Sequence, residues 1–217
     1  MADKFGPDWF DEPAAPERKV TPLTDISLIC WACYRATRAH CDAKQMRRDP
    51  LYPLPYIVHP LRVAMLVGAC GGSAVAVAAA LLHDVLEDTP TVPLGWPTEV
   101  TALVMSLAHK HGQTKLEAIE QLASAPEEAL LIKLADRYDN SSAEANGAVY
   151  FQRPDVMEST ERLLQIVVER KLELGKCRSL YDALDINLKI CSQANAREAS
   201  PDEPVRPSSK RAGSGKH

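Results

Sequence analysis

Aromatic residues are scarce in this chain of 217 residues, which has three Trp, three Phe and six Tyr. β-Sandwiches fill their faces with aromatic and β-branched side chains. Ala and Leu dominate here instead, and both are good helix formers, so helix packed on helix is the expected class. An excess of basic charge is also missing. The formal net charge of −4 gives no attractive field for a polyanion, which argues against nucleic acid as a partner. Residues 1–22 are polar and proline-rich, without the basic-then-apolar order of a secretory signal.

Only one long uncharged run stands out, the twenty residues Val63–Leu82, which is the length of a bilayer span. Gly71-Gly72-Ser73 interrupts it, alanine fills much of it, and it runs directly into His83-Asp84. Two short core helices joined by a Gly-Gly turn are therefore expected, and no membrane partner. The six cysteines lack the spacing of a disulfide framework, and Cys30-x-x-Cys33 has no second pair to complete a zinc cage. We read Cys30 and Cys33 as small apolar residues on a helix face with Ile26 and Ile29, in a reducing, cytoplasmic setting.

Periodicity and punctuation divide the chain into a flexible arm (1–22), one domain (23–192) and a disordered tail (193–217) rich in Ser, Pro, Lys and Arg. Within the domain, Thr24 or Asp25 caps a helix to about Arg47. Pro60 opens a second helix, and Ser73 caps a third that continues through Asp88. Further helices are expected at Thr98–His109, Leu116–Ala123, from Ser124 as a cap through Ala135, at Asp155–Leu174 and at Ser179–Ser192. No repeat and no convincing strand appears.

Polar residues break into these apolar helices at a few places. In the run Ala78–Asp88, His83-Asp84 and Glu87-Asp88 interrupt Ala and Leu, and on a continuous helix the i,i+4 spacing stacks the two pairs along one edge. Asp136 and Asn140 share an edge of another helix, and His59 precedes Pro60. Taken singly, each has an ordinary reading. His59 caps a helix, Asp136 pairs with Lys133 or Arg137, and Glu87-Asp88 is a solvated helix end. Together they offer two imidazoles and several carboxylates from three helical segments. That donor set suits Mn²⁺, Fe²⁺ or Zn²⁺ and offsets the cost of burying the carboxylates.

Three stretches carry a resemblance: Pro55-Tyr-Ile-Val-His59-Pro60, Ala80-Leu-Leu-His83-Asp84-Val-Leu-Glu87-Asp88-Thr89 and Lys133-Leu-Ala-Asp136-Arg137-Tyr-Asp-Asn140. In order and spacing they resemble the HD superfamily of metal-dependent phosphohydrolases, and in wording the hydrolase domain of RelA/SpoT-type proteins and the small alarmone hydrolases. The resemblance implies an all-α HD-domain helical bundle. It assigns the metal, Mn²⁺ in this reading, to His59, His83, Asp84 and Asp136. Activation of the attacking water falls to Glu87 and Asp88. Nucleotide binding falls to Asn140, to Arg47 or Arg48 in the segment Gln45-Met-Arg-Arg48, and to the bases Lys133 and Arg137.

The chain departs from the pattern in several places. Lys44 replaces a glycine, and Asp139 stands where His or Tyr is common. Ser141-Ser142-Ala143 lacks the Thr that often follows the Asn in the family, and Ala108–Lys115 differs from the family's loop. We read all of these as affecting substrate recognition and sparing the metal site, with His109 and His111 solvated. The expected activity is hydrolysis of the 3′-pyrophosphate of (p)ppGpp or a related alarmone to pyrophosphate and GDP or GTP. With little chain after Asn140 for the synthetase domain of long RelA/SpoT proteins, hydrolysis alone is expected. An HD phosphohydrolase acting on other nucleotides and a non-catalytic nucleotide-binding regulator are the competing readings, and homo-oligomerisation is left open.

Overall fold

The computed structural model describes residues 24–44, 46–47, 54–142, 151, 153–173 and 175–198, with the side chains of 46–47, 176 and 194–198 left out. The expected arm, Arg48 and the chain beyond Glu198 lie outside these residues. The fold is helical, as expected. Helix α1 spans Asp25–Asp42, and the Thr24 hydroxyl accepts the Ser27 N–H at 3.3 Å. Its buried positions are Leu28, Ala32, Ala36, Ala39 and His40.

This corrects the expected face, since Ile26 is 76% exposed and Cys30 is exposed as well. The alanine column carries little hydrophobicity, so it reads weakly in a sequence. It wins the interior because small side chains at i,i+4 spacing let a neighbouring helix approach closely. After α1, Met46–Arg47 (β1) pairs antiparallel with Leu54–Pro55 (β2). No strand was expected there, because a two-residue ladder leaves no periodicity to read.

Helix α2 is Val58–Ala69, so Pro60 sits two residues inside its start, still in the first turn where its missing N–H costs nothing. The turn to α3 depends on its glycines. Gly71 has φ +88°, and a Cβ on Gly72 would lie 2.6 Å from Val67 Cγ1. Helix α3, Ala74–Leu82, is capped by Ser73, whose hydroxyl accepts the Ala76 N–H at 3.1 Å. It buries Ala76, Ala78, Ala79, Ala80, Leu81 and Leu82 and packs against α1 and α2. It is the central element, and truncating Leu81 or Leu82 to Ala would cost about 2–5 kcal/mol.

The expected continuous helix to Asp88 is not formed. Helix α3 stops at Leu82, and a separate turn, α4, spans Val85–Asp88 with Asp84 as its N-cap residue. Helices α5 (Thr98–Leu107) and α6 (Lys115–Glu120) follow, the latter opened by a capping box between Thr114 and Glu117. A 3₁₀ turn, Gln121–Ser124, leads to α7, Glu127–Asn140. Ser124 does not cap α7, because its hydroxyl donates to the Gln121 carbonyl and Pro126 precedes the helix. Helix α8 is Pro154–Glu169, and α9, Arg178–Glu198, runs past the expected end at Ser192. Helix α3 is flanked by α1, α2 and α5, with α7 against α2. Among the described residues no helix is long and apolar enough to cross a membrane.

Candidate metal centre and active site

The ends of three elements converge. His59 comes from the first turn of α2, His83-Asp84 from the break between α3 and α4, and Asp136 from α7. On a continuous helix, adjacent residues point about 100° apart. At the junction of α3 and α4, His83 and Asp84 nonetheless both bring a ligand atom to one point. One ligand atom from each of His59, His83 and Asp84 lies within 4.8 Å of the others. Asp136 Oδ1 joins them, 3.2 Å from His59 Nε2 and 3.8 Å from His83 Nε2. Both histidines and Asp136 are buried.

Proton positions follow from the outer partners. His83 Nδ1 lies 2.8 Å from the Ala80 carbonyl oxygen, which can only accept, so Nδ1 carries a hydrogen and Nε2 faces the cluster. His59 Nδ1 likewise donates to Asp139 Oδ2 at 2.7 Å. His83 Nε2 is buried without a hydrogen-bond partner, although it stands 3.1 Å from Asp84 Oδ1. His59 Nε2 is 3.4 Å from Asp84 Oδ2. Lone pairs of two imidazoles and two carboxylates thus face one another in a buried space, which is unfavourable unless a cation or protons stand between them.

The electrostatics agree. Burial alone would lower the proton affinity of both imidazoles. At His59, Asp136, Asp139 and Asp84 outweigh it and hold the pKa well above the ordinary histidine value. At His83, Asp84 and Asp136 push the pKa up to about 9. Burial would raise Asp84 and Asp136, yet the histidines around Asp84, and Lys133 together with the histidines around Asp136, keep both well below the usual carboxylate range. The cluster therefore draws positive charge into itself. A divalent cation would satisfy the same lone pairs, and the donor set fits one.

The residues behind the ligands are as well defined as the ligands. Asp139, 1% exposed, binds His59 through one oxygen and Arg62 Nε through the other at 2.7 Å. The sequence reading assigns Asp139 to a change in substrate recognition. The structure places it behind a metal-ligand candidate, and its i+3 spacing from Asp136 on α7 was the signal that both share a face. Tyr56, unassigned before, donates from its hydroxyl to Asp84 Oδ2 at 2.6 Å, with its ring 4.8 Å from that of buried His40. Burial and the neighbouring carboxylates Asp84, Asp88 and Asp136 push its pKa up.

Other expected site residues divide. Asn140 donates to Asp136 Oδ1 at 2.6 Å and Lys133 Nζ pairs with Asp136 Oδ2 at 2.8 Å, so both brace a ligand candidate. Arg137 is buried and donates to Ser159 Oγ at 3.2 Å. Glu87 and Asp88 are exposed and lie on the separate α4 turn, where the Asp88 N–H donates to the Asp84 carbonyl at 2.9 Å. Glu87 Oε1 accepts the His109 backbone N–H at 2.8 Å, which ties the loop after α5 to the site. Asp88 lies on the other side, near Tyr56. Burial first, then repulsion from Asp84, raises its pKa. Arg47 lies on β1 with its side chain undescribed, and Arg48 is outside the described residues.

Comparison with known proteins is consistent with this geometry. The HD domain family matches residues 32–161. Guanosine-3′,5′-bis(diphosphate) 3′-pyrophosphohydrolase MESH1 of Xenopus tropicalis is 35% identical over 127 residues, covering 54% of this chain and 69% of that protein. The bifunctional (p)ppGpp synthase/hydrolase RelA of Mycobacterium tuberculosis is 31% identical over 191 residues, 81% of this chain and 24% of that protein. The chain thus spans about a quarter of that longer relative. The solved structure of a metazoan ortholog of SpoT that hydrolyses ppGpp superposes with a TM-score of 0.56 at 23% identity, over 81% of this chain and 98% of that one. That superposition bears on the fold. With a family match over most of the folded region and His59, His83, Asp84 and Asp136 gathered at one point, the chain belongs to the HD domain family.

Proposed function

We propose that this protein is a metal-dependent 3′-pyrophosphohydrolase of (p)ppGpp or a related alarmone, with Mn²⁺ as the working cation. The carrying observation is the buried cluster of His59, His83, Asp84 and Asp136, whose lone pairs converge beside Glu87 and Asp88. The similarity to MESH1 supports the choice of substrate. Six free cysteines fit a reducing, cytoplasmic setting. When bound, the cation supplies positive charge for the phosphoryl oxygens and acidity for the attacking water.

The protein's own groups do the rest. Asp88, its pKa raised by burial and by Asp84, accepts the proton of the attacking water, for which a carboxylate of raised pKa is suited. Tyr56 donates to Asp84 and holds that carboxylate in place. The water oxygen joins the phosphorus next to the ribose 3′-oxygen, the bond between them breaks, and the 3′-oxygen takes up a proton. Pyrophosphate and GDP or GTP result. Lys133 and Asn140 keep Asp136 oriented.

The test is product analysis after incubating the Mn²⁺-loaded protein with ppGpp, beside an Asp84→Ala variant. Pyrophosphate plus GDP from the wild type, and none above background from the variant, is the expected result. No turnover by a wild type shown to bind Mn²⁺ would remove ppGpp as substrate.

A further inference from the structure

Two cysteines far apart in the chain meet in the fold. Cys70 is the C-cap residue of α2, and Cys177 closes a 3₁₀ turn, Gly175–Cys177, that leads into α9. The Cys177 Sγ lies 3.9 Å from the Cys70 carbonyl oxygen, and the two thiols are within hydrogen-bonding reach of each other. Cys70 is half-buried and Cys177 is buried. Burial first, then the Cys70 thiol beside it, pushes the Cys177 thiol up to about 12. Cys177 therefore stays protonated and shielded, and Cys70 is the member of the pair that solvent reaches. The pair stands apart from the metal-ligand candidates. His59 is in the first turn of α2 and Cys70 at its other end, and the 12 residues of that helix span about 18 Å.

We infer that Cys70 and Cys177 are a thiol pair that peroxide oxidises to a disulfide, and that this bond staples the start of α9 to the α2–α3 turn. The chemistry balances in two steps. Cys70 Sγ gives two electrons to the peroxide. The O–O bond breaks, one oxygen stays on the sulfur as a sulfenic acid, and the other leaves as water. Cys177 Sγ then attacks Cys70 Sγ. The S–S bond forms, the S–O bond breaks, and the departing hydroxyl takes the Cys177 proton and leaves as a second water. In a reducing setting the pair rests as thiols, so the disulfide records exposure to oxidant. The mechanical effect follows from where the bond lies. Helix α9 is held by buried Leu180, Leu184 and Leu188, packed with α7 and α8. The disulfide adds a covalent tie between its first turn and α2. The two cysteines are 107 residues apart, so the bond also closes a long loop in the unfolded chain and lowers its entropy.

The test treats the reduced, metal-free full-length protein with hydrogen peroxide and blocks the remaining thiols with N-ethylmaleimide. Mass spectrometry of an unreduced digest then maps the disulfides. Omitting the metal keeps its own reaction with peroxide out of the measurement. A linked Cys70–Cys177 peptide, lost on adding dithiothreitol, is the expected main product. The Tm of the oxidised protein should exceed that of the reduced protein by about 5–15 °C, a gain absent from Cys70→Ala and Cys177→Ala. Circular dichroism checks that both variants keep their helices. In Cys177→Ala the sulfenic acid on Cys70 has lost its partner, so dimedone should label it. Cys30 and Cys41 are exposed and serve as internal controls for oxidation. Cys70 and Cys177 left unlinked at a peroxide concentration that oxidises those two would overturn the pair. A linked pair with an unchanged Tm would overturn the staple.

Discussion

Replacing Asp139 by Asn removes a charge while nearly conserving volume, and tests whether the residues behind His59 set the metal site. In the wild type one carboxylate accepts from His59 Nδ1 and from Arg62 Nε, each at 2.7 Å, in a site where Asp139 is 1% exposed. An amide has one acceptor oxygen, so in the variant either the imidazole or the guanidinium faces an NH₂ donor. A charge-assisted hydrogen bond contributes about 1.5–3 kcal/mol, and a buried donor left facing a donor costs a similar amount. If the imidazole is the loser, His59 is free to rotate or change tautomer, and Nε2 is no longer aimed at the cluster. Outer-shell partners of this kind are worth about 10–100-fold in metal affinity. We expect Mn²⁺ affinity, measured by calorimetric titration, to fall within that range, and the rise in Tm on adding Mn²⁺ to shrink with it. Asp84→Ala, which deletes a ligand candidate, should lose more. The reasoning fails if a folded Asp139→Asn binds Mn²⁺ within about threefold of wild type while Asp84→Ala abolishes binding.

Two other predictions concern stability. In metal-free protein His83, with its pKa raised to about 9, stabilises the fold while protonated. That contribution is complete below the ordinary histidine value near 6.5 and is lost as pH rises through about 9, on the order of 3 kcal/mol in all. The Tm of metal-free protein should therefore fall between pH 7 and 9.5, and saturating Mn²⁺ should flatten the profile; a flat metal-free profile would refute the assignment. Gly72→Ala places a Cβ 2.6 Å from Val67 Cγ1 and 3.1 Å from the Val67 carbonyl oxygen. It should destabilise the protein by about 1–3 kcal/mol in urea unfolding, and unchanged stability would show that the α2–α3 turn has room to shift.

Which parts of the fold could be read in advance follows from how local their causes are. Thr24 and Ser73 were legible as caps because an N-cap is satisfied within three residues of itself, and both make the expected bond. The α2–α3 turn was legible because glycine punctuates it. The inner face of α1 was misread because its alanines yield to apolar Ile26 and Cys30 in any hydrophobic pattern. The interior instead took the residues small enough for a close helix contact. The end of α3 at Leu82 was hidden for a different reason. Ala78–Leu82 and Val85-Leu86 read as one apolar helical run, and nothing in the local pattern marks a stop before His83.

By itself the sequence determined the chemical inventory: which segments carry imidazoles and carboxylates, in what order, on which helices, and that they belong to an HD-type site. Donor types and short spacings are local properties, so they survive in one dimension. Only the tertiary structure decided where the atoms point. In sequence Asp139 reads as a change in substrate recognition and Lys133 as a nucleotide-binding base or an ordinary partner of Asp136. Packing α7 against α2 sets Asp139 behind His59, while the turn of α7 brings Lys133 onto Asp136. Glu87 and Asp88 are adjacent, yet the short α4 sends one toward His109 and the other toward Tyr56. Positions 59, 83, 84, 136 and 139 are far apart in the chain. Their convergence depends on how whole helices cross, which is set by the summed packing of many side chains and leaves no local mark.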